Sequence, residues 1–383
     1  MALHFDAQEF EDRKNRLLAE MKTAKYDAML LFAQESMYWL TGYDTFGFCF
    51  FQCMIVEKTG EVTLLTRSAD LRQARHTSNV ETIVVWEDRA QANPARELRD
   101  LLSDRDLLGA RIGVEYDTPG LTAFNGRRID DALSTFATLD DASTLVTRLR
   151  AIKSDAEIAY VRKAGALADD ALTAAIPLIK RDADESMILA AMQGAVFEGG
   201  GDYAGNEFII GSGEDALLCR YKSGRRTLSE NDQLTLEWAG AYRRYHVAMM
   251  RTAVTGTPTP RHLELYEAAC SALAACEAVM KPGHTFGDVF DAHARAMAAA
   301  DLTRHRLNAC GYSLGAHFTP CWMDRPMFYA GNPVAIEPNM VLFAHMIIAD
   351  SDTGTAMTLG QSYLTTTEGP ECLSRHNLDL IVG

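Results

Sequence analysis

Residues 234–252 read LTLEWAGAYRRYHVAMMRT. Apolar positions alternate with others on either side of Ala241–Arg244, which predicts two strands joined by a turn there. Glu237 lies on the first strand, between Leu236 and Trp238. A carboxylate buried among such neighbours is costly unless it is paired or used in chemistry. Where a partner is expected on the second strand, the chain supplies Ala248, Met249 and Met250. An ion pair with Arg251 or Arg220 is the structural reading of Glu237; a reactive carboxylate is the functional one.

Working outward, the hairpin follows two helical patterns and one strand. In the first helix, which starts at Ser154, Ser154 and Glu157 have capping-box spacing ahead of Ile158 and Val161. The second covers 184–198 and ends in Gly199-Gly200-Gly201; EFIIGSG (207–213) then reads as a strand. Downstream the order recurs. Helical patterns at 261–281 and 287–300 precede strands near 308–316, 340–349 and 361–367, which predicts an internally duplicated α+β unit with little identity between its halves. Gly211-Ser212-Gly213 lacks the third glycine and following helix of a phosphate loop.

Upstream, residues 7–24 are amphipathic, with Phe10, Leu17, Leu18 and Met21 on one side. Strand-like runs at 28–32, 53–57, 62–66, 82–86 and 111–116 and a helix-prone stretch at 96–103 predict an α/β domain. The expected division is a domain of residues 1–148 followed by one of 149–383.

The length of 383 residues fits two cores better than one. A formal charge of −15 argues against nucleic acid and anionic membrane surfaces as partners. The acidic N-terminal stretch does not read as a secretory signal, and no apolar run approaches the ~20 residues of a membrane span. The eight cysteines have neither CxxC pairing nor zinc-site spacing, so reduced, packing thiols in a cytoplasmic protein are expected.

LRAIKSDAEIAYVRKAGALAD (149–169) resembles the domain junction of the creatinase, prolidase and aminopeptidase P family, and ESMYWLTGYDTFG (35–47) resembles its N-terminal domain. FIIGSGEDALLCRY, the 234–252 stretch, CGYSLGAHF, EPNMVLFAHM and SYLTTTEGPECLS follow in the family's order. The resemblance spans nearly the whole chain. It implies an α/β creatinase-like N-terminal domain and an α+β pita-bread catalytic domain with an internal pseudo-twofold.

Metallopeptidases of this fold hold two metal ions with two Asp, one His and two Glu. Carried over by resemblance, the first Asp falls on Glu237 and the second on Ala248. The His falls on Tyr312, the next Glu on His345, and the last on Gly360 or Gln361. A substrate-side His falls on Arg220, before Tyr221. Two close cations need several anionic oxygens. The resemblance thus implies a site with no metal and no cofactor, as in creatinase.

Such a site draws its nucleophile, proton transfer and charge stabilisation from side chains. Glu237, His345, His246 and Tyr312 are the catalytic candidates; His246 shares a strand face with Ala248 and Met250. Arg220 is expected to hold a carboxylate, and Trp322 and Phe343 to wall the pocket. The segment 311–333 with EPNMVLFAHMIIAD resembles the metal-free members that open the cyclic amidine of ectoine, a small zwitterion, to N-acetyl-2,4-diaminobutyrate. Family relatives form homodimers, which would bring Tyr43, Phe46 and Phe48 of the loop 42–51 to a neighbour's pocket. A deacetylase is the partner implied for the product. Three other readings stay open: a creatinase-like C–N hydrolase acting on another zwitterion, a residual metallopeptidase, and a non-catalytic pita-bread binding protein.

Overall fold

In the computed structural model, which describes residues 3–220 and 225–383, contacts divide the chain into units of residues 1–150 and 151–383. The first unit runs α1 (Ala7–Ala24), β1 (Ala28–Leu31), α2 (Gln34–Thr41), β2 (Cys53–Glu57), β3 (Val62–Arg67), α3 (Leu71–Thr77) and β4 (Thr82–Trp86). It continues through α4 (Pro94–Ser103), β5 (Arg111–Val114), α5 (Ala123–Leu133), β6 (Thr138–Asp141) and α6 (Leu145–Ala151), which crosses the division. Its six strands lie in the order β4-β3-β2-β1-β5-β6. Alternation sends Leu30, Ile55, Leu65 and Ile112 to a core with Leu98, Leu102 and Ile129 from α4 and α5. Met29, Leu31, Met54 and Leu64 face a second core with Leu17, Met21, Met37 and Trp39 from α1 and α2.

The loop 42–51 corrects one expectation. Tyr43 is fully buried in the second core, its hydroxyl bonded to Gln52 Oε1 at 3.3 Å, and Phe48 is also buried. Neither ring is presented at the surface of this unit, Tyr43 because the second core uses it. Phe46, 76% exposed, is the one of the three with a free face.

The second unit begins with α7 (Asp155–Ala175), α8 (Glu185–Glu198), β7 (Ile209–Ser212), β8 (Asp232–Tyr242) and β9 (Tyr245–Thr255). The Ser154–Glu157 capping box opens α7, with both reciprocal bonds made. Next come α9 (Pro260–Val279), α10 (Phe286–Ala299), β10 (Ala309–Ser313), β11 (Asp324–Tyr329), β12 (Val341–Asp350), β13 (Thr355–Thr365), β14 (Pro370–Cys372) and β15 (Ile381–Val382). The main sheet order, β11-β10-β12-β13-β9-β8-β7, places the two halves back to back at the β13–β9 pair. This is the pita-bread arrangement with its internal pseudo-twofold.

The 234–252 stretch is the β8–β9 hairpin. Its turn is tighter than the alternation predicts: Arg243 and Arg244 alone connect the strands, both with positive φ (51° and 68°). Two consecutive left-handed residues make the primed turn that matches strand twist. Asp202 Oδ2 accepts the Arg244 N–H at 3.0 Å. One sheet face is covered by helices. Trp238 points there and donates its indole N–H to the Ala168 carbonyl on α7. Leu342, Ala344, Met346 and Ile348 of β12 and Leu359 of β13 pack with Leu265, Leu273, Phe286 and Val289 from α9 and α10. Each of the larger side chains so buried, Ala344 aside, contributes about 2 kcal/mol.

Candidate active site

The opposite face carries the polar residues, and strand register brings them together. Glu237 pairs with Met250, Met250 with Gly360, and Gly360 with His345, so one row crosses four strands. Ala239 and Ala248 pair in the neighbouring row, and Tyr312 pairs with Phe343. Directly opposed residues share a face. Glu237, Ala248, Tyr312, Phe343, Gly360 and His345 therefore occupy one surface.

Glu237 is 8% exposed. Burial pushes its carboxyl up to about 7; the Arg220 charge and a hydrogen bond from Tyr312 oppose this. Tyr312 donates its hydroxyl to Glu237 Oε1 at 3.3 Å and accepts the Trp322 indole N–H at 2.9 Å. Burial, then the Glu237 charge, hold the phenol well above its usual range, so it stays a donor. Arg251 is not the partner of Glu237. It lies on the helix side of β9 and donates to the carbonyls of Met250 and Gly360 and to Gln361 Oε1.

His345 is buried against the rings of Tyr312 and Phe343, with centroids at 5.7 and 5.4 Å. Its Nδ1 has no hydrogen-bond partner among the described residues. Burial, with the neighbouring His293 and Arg220, lowers its pKa to about 3, so the ring is neutral. Arg220 itself is solvent-exposed, yet its charge reaches both Glu237 and His345; Tyr221 lies outside the described residues. Trp322 and Phe343 are buried, Phe343 packing on Tyr312 at 5.3 Å.

Gly360, rather than Gln361, lies in the row. A Cβ there would come 2.7 Å from the Phe343 ring and 2.8 Å from Met250 Cβ, so the missing side chain makes room for the ring. His246 differs from its expected role. It is fully buried, and both ring nitrogens meet backbone groups: Nε2 accepts the Gly205 N–H at 2.9 Å, and Nδ1 lies 3.4 Å from the Gly315 carbonyl. Burial lowers its pKa to about 3, with His317 adding to the effect. A neutral ring engaged at both ends has no free position for carrying protons. Gly205 and Asn206 went unnoticed in the sequence because their roles arise from contacts distant along the chain.

The donor set bears on metal binding. Glu237 and His345 are the ligating side chains of the row; Ala248 and Gly360 cannot ligate, and the Tyr312 hydroxyl is already bonded. These groups do not fit a two-ion centre. Among the described residues, the side chains that gather as a ligating trio are His305, Asp350 and Asp352, where Arg261 and Arg304 already neutralise the carboxylates.

The model of metallopeptidase family M24 matches residues 159–367, and that of the creatinase/prolidase N-terminal domain matches residues 13–152. The chain belongs to metallopeptidase family M24. Membership places it among hydrolases. It is 27% identical to the ectoine hydrolase of Halomonas elongata, over all of this chain and 99% of that one. It is also 27% identical to an uncharacterized hydrolase/peptidase of Sinorhizobium fredii, with 99% of each chain covered. The prolidase of Thermococcus sibiricus shares the M24 fold at a TM-score of 0.88 and 18% identity, covering 98% of this chain and 100% of that one. No helix among the described residues is long and apolar enough to cross a membrane.

Proposed function

We propose that this M24 protein is a metal-independent hydrolase that opens the cyclic amidine ring of ectoine to N-acetyl-2,4-diaminobutyrate. The observation that carries the reading is the buried Glu237, hydrogen-bonded by Tyr312 on a sheet face where the other expected ligand positions hold Ala248, Tyr312, His345 and Gly360. A carboxylate raised to about 7 ionises readily beside a cation, and an amidinium ring supplies one. The similarity to the ectoine hydrolase over the full chain supports the substrate.

In this mechanism Glu237 attacks the ring carbon between the two nitrogens, and one ring C–N bond breaks as that nitrogen leaves protonated. Water then adds to the same carbon and releases the Glu237 carboxylate, leaving the N-acetyl group. Glu237 acting as a base on that water is the variant of the same scheme. Tyr312 donates to the charge that builds at the tetrahedral stage. His345, neutral and with an open Nδ1, relays the proton that the departing nitrogen takes and then the one that the attacking water gives up. Arg220 faces the substrate carboxylate, and Trp322 and Phe343 wall the ring. Phe46 is the ring left to cover a neighbour's pocket in a homodimer. The acetylated product would pass to a deacetylase in the cytoplasm.

The test is incubation of the EDTA-treated protein with ectoine, followed by mass spectrometry. A product heavier by one water, absent with Glu237→Gln, is expected. No ring-opened product from the wild type would overturn the proposal, and tight ectoine binding without turnover would instead mark a binding protein.

A further inference from the structure

His246 joins three segments that are far apart in sequence. Its backbone N–H donates to the Gly315 carbonyl at 3.1 Å, and its ring Nδ1 faces the same oxygen. That oxygen can only accept, which leaves the lone pair on Nε2 for the Gly205 N–H. Gly205 in turn lies flat against residues 321–322: a Cβ there would sit 2.9 Å from the Cys321 carbonyl and 3.0 Å from the Trp322 nitrogen. Asn206 Oδ1 accepts the Trp322 backbone N–H at 3.2 Å.

The same tryptophan reaches the chemistry. Its indole lies beside the His246 ring, with centroids 6.5 Å apart, and its Nε1–H ends on the Tyr312 hydroxyl that bonds Glu237. Gly205 and Asn206 also line a cleft of about 480 Å³, together with Phe197, Tyr203, Thr319 and Pro320. Residues 204–206 thus line this cleft and also contact Trp322, the start of the Trp322–Tyr312–Glu237 chain. Two side-chain acceptors hold them in place, His246 Nε2 for the Gly205 N–H and Asn206 Oδ1 for the Trp322 N–H.

We propose that His246 is a positioning residue. By accepting the Gly205 N–H it seats residues 204–206, and through them holds Trp322 where its indole orients the Tyr312 hydroxyl on Glu237. The requirement is for an acceptor at the Nε2 position, not for a titrating ring. The kinetic consequence rests on the proposed hydrolase reading; the structural consequence does not.

The test compares His246→Gln, whose side-chain oxygen can replace Nε2 as acceptor, with His246→Leu, which has no acceptor. Amide hydrogen exchange of residues 204–208 in the unliganded protein is expected to speed up about tenfold in the Leu variant and to stay near wild type in the Gln variant. With ectoine as substrate, kcat should fall about 100-fold for Leu and less than about tenfold for Gln, with KM changed little in either. Asn206→Ala probes the other bond without touching the core, and should raise exchange in the same segment. Wild-type exchange and rate in the Leu variant would overturn the proposal. So would a Gln variant as inactive as Leu, since that would make the ring itself the proton carrier. If the wild type does not turn over ectoine, the functional reading fails, and the exchange measurements alone decide the role of His246.

Discussion

Tyr312 donates its hydroxyl to Glu237 Oε1 at 3.3 Å while accepting the Trp322 indole N–H, so two donors in series end on one buried carboxylate. In the metallopeptidases that the chain resembles, cations would offset such a charge. Here burial prevails, and the Arg220 charge and the Tyr312 phenol offset it only in part, which leaves the carboxyl at about 7.

Tyr312→Phe removes the donor nearest the carboxylate. The hydrogen bond lowers the Glu237 pKa, so its loss raises it, and the acid limb of the rate profile should move to higher pH. Losing one stabilising donor typically costs about 10²-fold in kcat. Steady-state kinetics from pH 5 to 9 check both effects; an unmoved limb would detach Tyr312 from Glu237.

Glu237→Gln should abolish turnover and also change the pH dependence of stability. The folded pKa lies above the ordinary carboxyl value, so the wild type is favoured with the proton on and loses stability as pH rises from about 4.5 to about 7. The amide does not titrate. The variant should therefore gain on the wild type across that window, by up to about 3 kcal/mol at pH 8. Denaturant melts at pH 5 and pH 8 measure the difference.

Histidines predict a loss in the other direction. His246 and His345 are lowered to about 3 and His293 to about 4, so the unfolded chain binds more protons below about 6.5. Their stabilising contribution is complete above that value and is lost as pH falls toward 3. His345→Gln should flatten this acid-side decline, as read from the midpoint of thermal unfolding between pH 4 and 7.

Gly360→Val would push a branched side chain into the space of the Phe343 ring and Met250. Overpacking of this kind costs about 1–3 kcal/mol. The variant should unfold at lower denaturant and lose activity, whereas Gln361→Glu, on the helix face beside Arg251, should keep the site intact. Equal effects of the two would contradict the assignment of Gly360 to the row.

Metal analysis after purification without chelator should find well below two ions per chain, and EDTA should leave ectoine turnover unchanged. Stoichiometric Mn²⁺ or Zn²⁺ with restored activity would reverse the reading of the Glu237–His345 row.

Much of this molecule is legible in the amino-acid order because the signals are local. Period-two alternation marks β8 and β9, and Ser154 with Glu157 marks the start of α7 before any tertiary contact exists. Alternation also puts Glu237 on the face opposite Leu236 and Trp238. Short or irregular pieces escape it: β11, β14 and β15 lack a pattern of their own and are set by the strands they pair with.

Relations across long separations were decided only by the folded chain. Alternation cannot say whether Gly360 or Gln361 faces the site, since a slip of one residue exchanges the faces; the pairing of Gly360 with Met250 and His345 fixes it. Nor can composition tell that Tyr43 is consumed by its own core while Phe46 is not. His246 is the clearest case. Its place on the strand follows from the sequence, but its partners, Gly205 and Gly315, lie 41 and 69 residues away. A histidine's chemistry depends on what occupies its two nitrogens, and only tertiary structure supplies that.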